Sequence, residues 1–441
     1  MTVIDLGDVS APPADSRPPA PARRSRRVAA GVALLCAVTL GAAAPAPEPP
    51  VRELWSTDAA RGGGTALTAD TLYLTRRTGG QPVLTAFELA TGAVRWARPL
   101  PDGFGDGDPA PIRVADGMVR LPGSPRVVEF PAGEEPQGWF TYPGELAVLD
   151  AATGAQRWRM SGEIQASTRE SALLADRDAR GELRAMRLVD AHTGDILWDR
   201  ALAHVREVLI QYAGDRPARI VTVGGTGEIT VHRYADGAPV AHRPAPGHGT
   251  GQDTVATIAG EQLVVTSTDR LGATITAYRL DDPATRLWSI RTVRATLVTD
   301  CRPVLCLARG AEVAGLDPAT GASRWLLPGK AGVDPVAPGR LLAYSDADPP
   351  REVLVDAATG RMIGDGGTGW PMPSDDSAGS RVLLRASRTD PARTVISRLD
   401  LDTGRVTDAG TVESTEGLDC DSTGRFLVCQ RPGRTVVTAI G

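Results

Sequence analysis

The chain has 441 residues, 48 basic against 53 acidic side chains and a formal net charge of −5, with 42% of its residues apolar. Length and apolar content suit a sizeable folded core, and the near balance of charge leaves no basic footprint for nucleic acid. Lys330 is the sole lysine, so nearly every positive charge is an arginine.

Residues 1–22 are rich in Pro, Ala, Asp and Ser, offer little to bury, and are expected to be disordered. An arginine cluster over Arg23–Arg27 then abuts Val28–Ala44, a run without charge, and a Pro-rich linker follows over Pro45–Pro50. Seventeen such residues rise roughly 25 Å as a helix, at the short end of what spans a bilayer. Arginines stay on the cytoplasmic side. The expectation is therefore a cytoplasmic tail over 1–27, a transmembrane signal-anchor over 28–44, a linker over 45–50, and an extracytoplasmic domain over 51–441. A cleaved signal peptide is the alternative, with small residues at Gly41–Ala43, although a tail this long before the basic cluster argues against it. Leu34 and Leu35 before Cys36 do not fit a lipoprotein site, and Arg26-Arg27 lacks the bulky residue of a twin-arginine signal.

From residue 51 onward a short phrase returns about every forty residues. It reads Asp150, Thr153-Gly154 and Trp158; then Asp190, Thr193-Gly194 and Trp198; then Asp317, Thr320-Gly321 and Trp325. Variants stand at Glu88–Gly92 with Trp96, at Asp356–Gly360 and at Asp400–Gly404, and degenerate copies at Asp236-Gly237 and Asp281–Thr285 with Trp288. Each follows an alternating apolar run, the pattern of a half-buried strand. The Asp can bond amides just downstream, and the Gly supplies the positive φ of a tight turn. The phrase is thus a hairpin turn, with Trp on the strand that leaves it. One hairpin cannot bury a Trp, but a ring of four-stranded sheets can, which is a β-propeller.

The ends complete the pattern. Glu53–Ser56 resembles a fourth strand without its hairpin partner, and Thr435–Ile440 a third strand without its successor. Pairing them would close the ring and remove an exposed edge. Eight internal copies plus the closing unit make nine, whereas propellers typically have four to eight blades. The expectation is accordingly an all-β closed propeller of eight blades, within a range of seven to nine. The long stretch Pro101–Trp158 is where extra structure would account for the surplus.

The phrase resembles the repeat of the pyrroloquinoline-quinone-like propeller proteins, over about residues 51–441. That family has a quinoprotein dehydrogenase branch, which holds the quinone and calcium on the propeller axis. It also has a non-enzymatic branch, similar to the lipoprotein subunit of the outer-membrane barrel assembly machinery, which binds partner proteins. The chain has no adjacent cysteines and no C-x-x-C-H haem attachment, both features of the redox branch. High Ala, Gly, Pro and Arg content suggests a GC-rich host genome of the actinomycete type.

Besides Cys36, four cysteines remain: Cys301 and Cys306, Cys420 and Cys429. Three pairings exist, and local pairing is the simplest in a ring of successive blades. Each short loop would then contribute about 2–3 kcal/mol, and the compartment would be oxidising. Buried free thiols and, more remotely, a zinc site are the alternatives.

Other motifs have ordinary readings. Asp102–Asp108 fails the EF-hand pattern at Phe104 and Arg113. Gly224–Gly227 has no helix to complete a phosphate site and reads as a turn. His242 and His248 near Asp253, and the pairs Asp281-Asp282 and Asp375-Asp376, read as loop residues. No catalytic or metal-binding residue is assigned. The functional expectation is a membrane-tethered, non-catalytic scaffold for an envelope protein or ligand, with no resident cofactor. A dehydrogenase using pyrroloquinoline quinone with calcium is one alternative and an envelope sensor the other.

Overall fold

The structure is a computed structural model and describes residues 51–58, 64–104, 112–129, 139–178, 181–225, 227–244, 253–269, 271–293, 297–372, 379–414 and 420–441. The tail, anchor and linker expected over residues 1–50 lie outside these. Among the described residues no helix is long and apolar enough to cross a membrane.

The described residues form seven four-stranded antiparallel sheets, one seven-stranded sheet and one two-stranded hairpin. Sheet one comprises Thr65–Leu67, Thr71–Thr78, Gln81–Glu88 and Val94–Pro99, in chain order from edge to edge. Sheet two comprises Arg113–Ala115, Met118–Pro122, Glu145–Asp150 and Gln156–Ser161. The seven-stranded sheet is two such arrays sharing Ile196–Ala213, an 18-residue strand. Its first part pairs back to Leu183–Asp190 and its second part forward to Arg216–Gly224, so sheets three and four run into each other. His204, at φ 56°, marks the handover.

Sheet five spans Asp253–Thr292, sheet six Leu297–Pro328, sheet seven Gly332–Thr368 and sheet eight Trp370–Glu413. Sheet nine takes Cys420–Ser422, Phe426–Arg431 and Arg434–Ala439 from the C-terminus and Arg52–Asp58 from the N-terminus. Trp55 pairs with Val437 and Ser56 with Val436, which is the closure expected from the sequence. An apolar cluster then joins sheet nine to sheet one through Phe426, Val428, Val437, Leu72 and Phe87.

Among the described residues the strands group into nine four-stranded arrays, against the expectation of eight within a range of seven to nine. The long stretch Pro101–Trp158 does hold extra structure: the hairpin Pro125–Glu129 with Trp139–Pro143. It is inserted within sheet two, between Met118–Pro122 and Glu145–Asp150.

Local chemistry explains the repetition. In the turn phrase, Asp190 Oδ1 accepts the amides of His192 and Thr193 at 2.8 Å each. Asp150, Asp317, Asp356 and Asp400 make equivalent bonds. The Trp four residues after the Gly reaches into the next sheet. Trp158 Nε1–H donates to the Ala191 carbonyl at 2.9 Å, and the ring lies against Gly194. A Cβ on Gly194 would fall 2.8 Å from that ring, and its φ is +77°, so only glycine fits without strain. Trp55, Trp96, Trp198, Trp288 and Trp325 repeat the lock on the following sheet at 2.7–3.1 Å. Except for the half-exposed Trp55, these tryptophans are buried.

Candidate functional site

Within each sheet the turn between strands one and two lies at the same end as the repeat turn between strands three and four. At that end, sheets six and seven enclose a groove of about 560 Å³. One wall is the turn after Leu297–Asp300; the other is the turn between Gly332–Ala337 and Arg340–Tyr344. The lining includes Asp300, Arg302, Pro335, Val336, Pro338 and Arg340.

Both walls are held by local bonds. Cys301 and Cys306 lie at disulfide distance with Cα atoms 5.8 Å apart, and the Cys301 amide donates to the Val304 carbonyl at 3.1 Å. The Arg302 guanidinium, 80% exposed, pairs with Asp300 at 3.1 Å. On the other wall Gly339 sits at φ +71°, and Arg340 Nε donates to the Leu401 carbonyl of sheet eight at 3.1 Å. The groove therefore presents prolines and a valine between the exposed Arg302 guanidinium and the braced Arg340.

A second feature lies in sheet seven. Glu352 is 1% exposed, and its Oε2 has no hydrogen-bond partner. Burial, and after it the Asp334 charge, push its carboxyl up to about 7. The protein around Asp334 also raises that carboxyl, although the side chain faces solvent from the first strand. Burial lowers Lys330, whose Nζ donates to the Arg351 carbonyl at 3.2 Å, and lowers Arg381, whose Nε is buried without a partner.

The residues singled out in the sequence are dispersed. Cys420 and Cys429 are register partners in sheet nine, also at disulfide distance, with Cα atoms 4.1 Å apart. Phe104 is fully buried beneath the Arg159 guanidinium, while Asp102 at the start of the calcium-like segment is exposed. Residues 105–111 lie outside the described residues, as do His248 and Asp375-Asp376. Gly224 and Gly227 form a hairpin turn, as expected. His242 Nδ1 lies 3.1 Å from the Thr230 hydroxyl. Asp281 pairs with Arg279, and Asp282 accepts the Thr285 hydroxyl.

Sequence reasoning missed Arg302, Arg340 and Glu352. A signal existed for Glu352: in Arg351–Asp356 it shares the inward face with Leu354, an unusual place for a carboxylate. Among the described residues no three His, Cys, Asp or Glu side chains come together as metal ligands.

Successive four-stranded arrays, closed by a strand from the opposite terminus and locked by a turn-docked Trp, define a propeller of pyrroloquinoline-quinone-like repeats. The family model described as outer membrane protein assembly factor BamB matches residues 50–173 and 179–328, more than half of the chain, and the protein belongs to this family. The crystal structure of BamB from Moraxella catarrhalis is 14% identical, with 88% of this chain and 99% of that one covered, at a TM-score of 0.40. Quinohemoprotein alcohol dehydrogenase from Comamonas testosteroni is 12% identical, with coverage of 89% and 77% and a TM-score of 0.42. A eukaryotic initiation factor is 10% identical, with coverage of 84% and 90% and a TM-score of 0.51, a likeness of fold alone. No curated protein sequence matches the chain.

Proposed function

We propose that this protein is a non-catalytic binding scaffold, tethered to a membrane by residues 28–44, with its propeller outside and its tail in the cytoplasm. The observation that carries the reading is the groove between sheets six and seven. Its two walls are pre-set turns, one stapled by a disulfide and the other braced by Arg340 onto Leu401. Such a surface suits recognition of a protein segment or an envelope ligand. Two cysteine pairs at disulfide distance fit an oxidising compartment. The matched family is named for an assembly factor, which accords with a partner-binding role.

The decisive experiment is titration of the purified chain with pyrroloquinoline quinone, with and without calcium, by absorbance and calorimetry. A photo-crosslinking residue at Val336 is compared in parallel with one at Met362 on the outer strand of sheet seven. The scaffold reading predicts no saturable quinone binding and a crosslinked partner specific to Val336. Micromolar or tighter quinone binding, or equal crosslinking at both positions, would overturn it.

A further inference from the structure

The Trp lock is missing at three junctions. The position four residues after the turn glycine is Ala241 leaving sheet four, Gly364 leaving sheet seven and Asp408 leaving sheet eight. Two of these junctions carry substitutes. Between sheets four and five, Glu261 accepts from Gln211 and Arg219 at 2.9 and 2.8 Å, and Arg243 stacks on Tyr278 at 4.0 Å. Between sheets eight and nine, Arg398 donates to the carbonyls of Gly424 and Ile440 at 2.7 and 3.0 Å, and the Cys420–Cys429 pair sits in the shared core.

The junction of sheets seven and eight has little of this. The space that a Trp would take is closed by backbone, because a Cβ on Gly404 would lie 2.6 Å from the Gly364 Cα. The buried cluster there is five leucines: Leu342, Leu354, Leu383, Leu399 and Leu401. Arg340 Nε donates to the Leu401 carbonyl across the two sheets here, and the Gly369 amide donates to the Pro350 carbonyl. Beside those leucines lies Glu352, with one carboxyl oxygen unpartnered. A buried carboxylate without a partner favours whatever opening brings it water.

We infer that the ring opens first between sheets seven and eight, and that ionisation of Glu352 loosens this seam. The groups whose charge reaches Glu352 are Lys330 and Asp334 at the first strand, Tyr344 on the second, and Arg381 on sheet eight, while Arg351 and Asp365 pair with each other on the opposite face. None hydrogen-bonds Oε2. The folded carboxyl titrates near 7, against an ordinary 4.5. The junction is therefore tightest below the ordinary value and loses stability as pH rises through the folded one. An opened state with ordinary carboxyl chemistry gains roughly 30-fold in population between about pH 5.5 and pH 8. Arg340 both bridges the seam and lines the groove, so opening also displaces one groove wall; the seam itself is independent of what the groove binds.

Hydrogen exchange of the full chain, with times rescaled for intrinsic exchange between about pH 5.5 and pH 8, tests this. Strands Met362–Thr368 and Arg393–Asp400 should show the 30-fold rise in opening, while Gln156–Ser161 and Leu183–Asp190, at the Trp158 lock, should show none. Glu352→Gln should abolish the rise. Asp334→Asn leaves Glu352 in place and removes a neighbouring charge, so it should shrink the rise, and it decides the matter if Glu352→Gln does not fold. Equal opening at both junctions, or a rise unchanged in the variants that fold, would overturn the inference.

Discussion

The Trp55 indole donates to the carbonyl of Leu89 at 2.8 Å, joining the strand Arg52–Asp58 to the turn of sheet one. The same strand pairs along its length with Arg434–Ala439. One residue thus links the two halves of the closure: backbone pairing within sheet nine and side-chain docking onto sheet one. Trp55→Ala should destabilise the fold by about 3 kcal/mol, at the lower end for buried aromatic truncation because the ring is half-exposed. Denaturant titration measures it, and exchange protection should fall in Thr71–Glu88 as well as in sheet nine. An effect confined to sheet nine would mean that docking is incidental.

Trp158 and Gly194 form one unit, since the ring occupies the space a Cβ would need. Trp158→Ala should cost about 3–5 kcal/mol. Gly194→Ala should also destabilise, through the clash and the positive φ together. The double variant should be less destabilised than the sum of the singles, because both remove the same contact. A double-mutant cycle in guanidinium chloride checks this, and strict additivity would refute the coupling.

Replacing Cys301 and Cys306 together by Ser should cost about 2 kcal/mol by the loop-entropy argument, and replacing Cys420 and Cys429 slightly more, because that loop is longer. The readout is the unfolding midpoint with and without a thiol reductant. The reductant should lower the midpoint of the parent chain and leave that of a fourfold Ser variant unchanged.

Stability should peak at mildly acidic pH. The turn carboxylates are held below their ordinary 3.8: Asp190 by the Thr193 amide first, and Asp317 by Arg324 first. Their contribution is present above 3.8 and lost as pH falls through the depressed folded values. Glu352 acts in the opposite sense, its contribution being lost as pH rises through about 7. Thermal midpoints across pH should therefore fall on both sides of a maximum at about pH 4 to 5, steeply below it and progressively up to about pH 7 above it. Asp190→Asn should weaken only the acid limb and Glu352→Gln only the neutral one.

Much of the fold was legible because it depends on neighbours in sequence. Asp150 binds its own turn amides, Gly154 supplies the positive φ, and alternation assigns each strand a buried face. The local cysteine pairs followed from the same logic. The succession of four-stranded arrays was legible too. The inserted hairpin at Pro125–Pro143 was sensed as surplus length but could not be placed, because nothing in its sequence says whether it adds an array or decorates one.

The groove and the seam were not legible. Arg302 and Arg340 stand 38 positions apart in unrelated-looking turns, and they line one groove only because sheets six and seven are adjacent in the ring. The sequence shows Gly364 and Ala241 alike as missing tryptophans. Only packing reveals that one gap is bridged by Glu261 and the other closed by the backbone of Gly404. By itself the sequence determined the repeating unit and its closure, since turn chemistry and strand alternation act over a few residues. Tertiary structure decided where a groove opens and where a carboxylate is stranded, because desolvation depends on everything packed around a group and on nothing local to it.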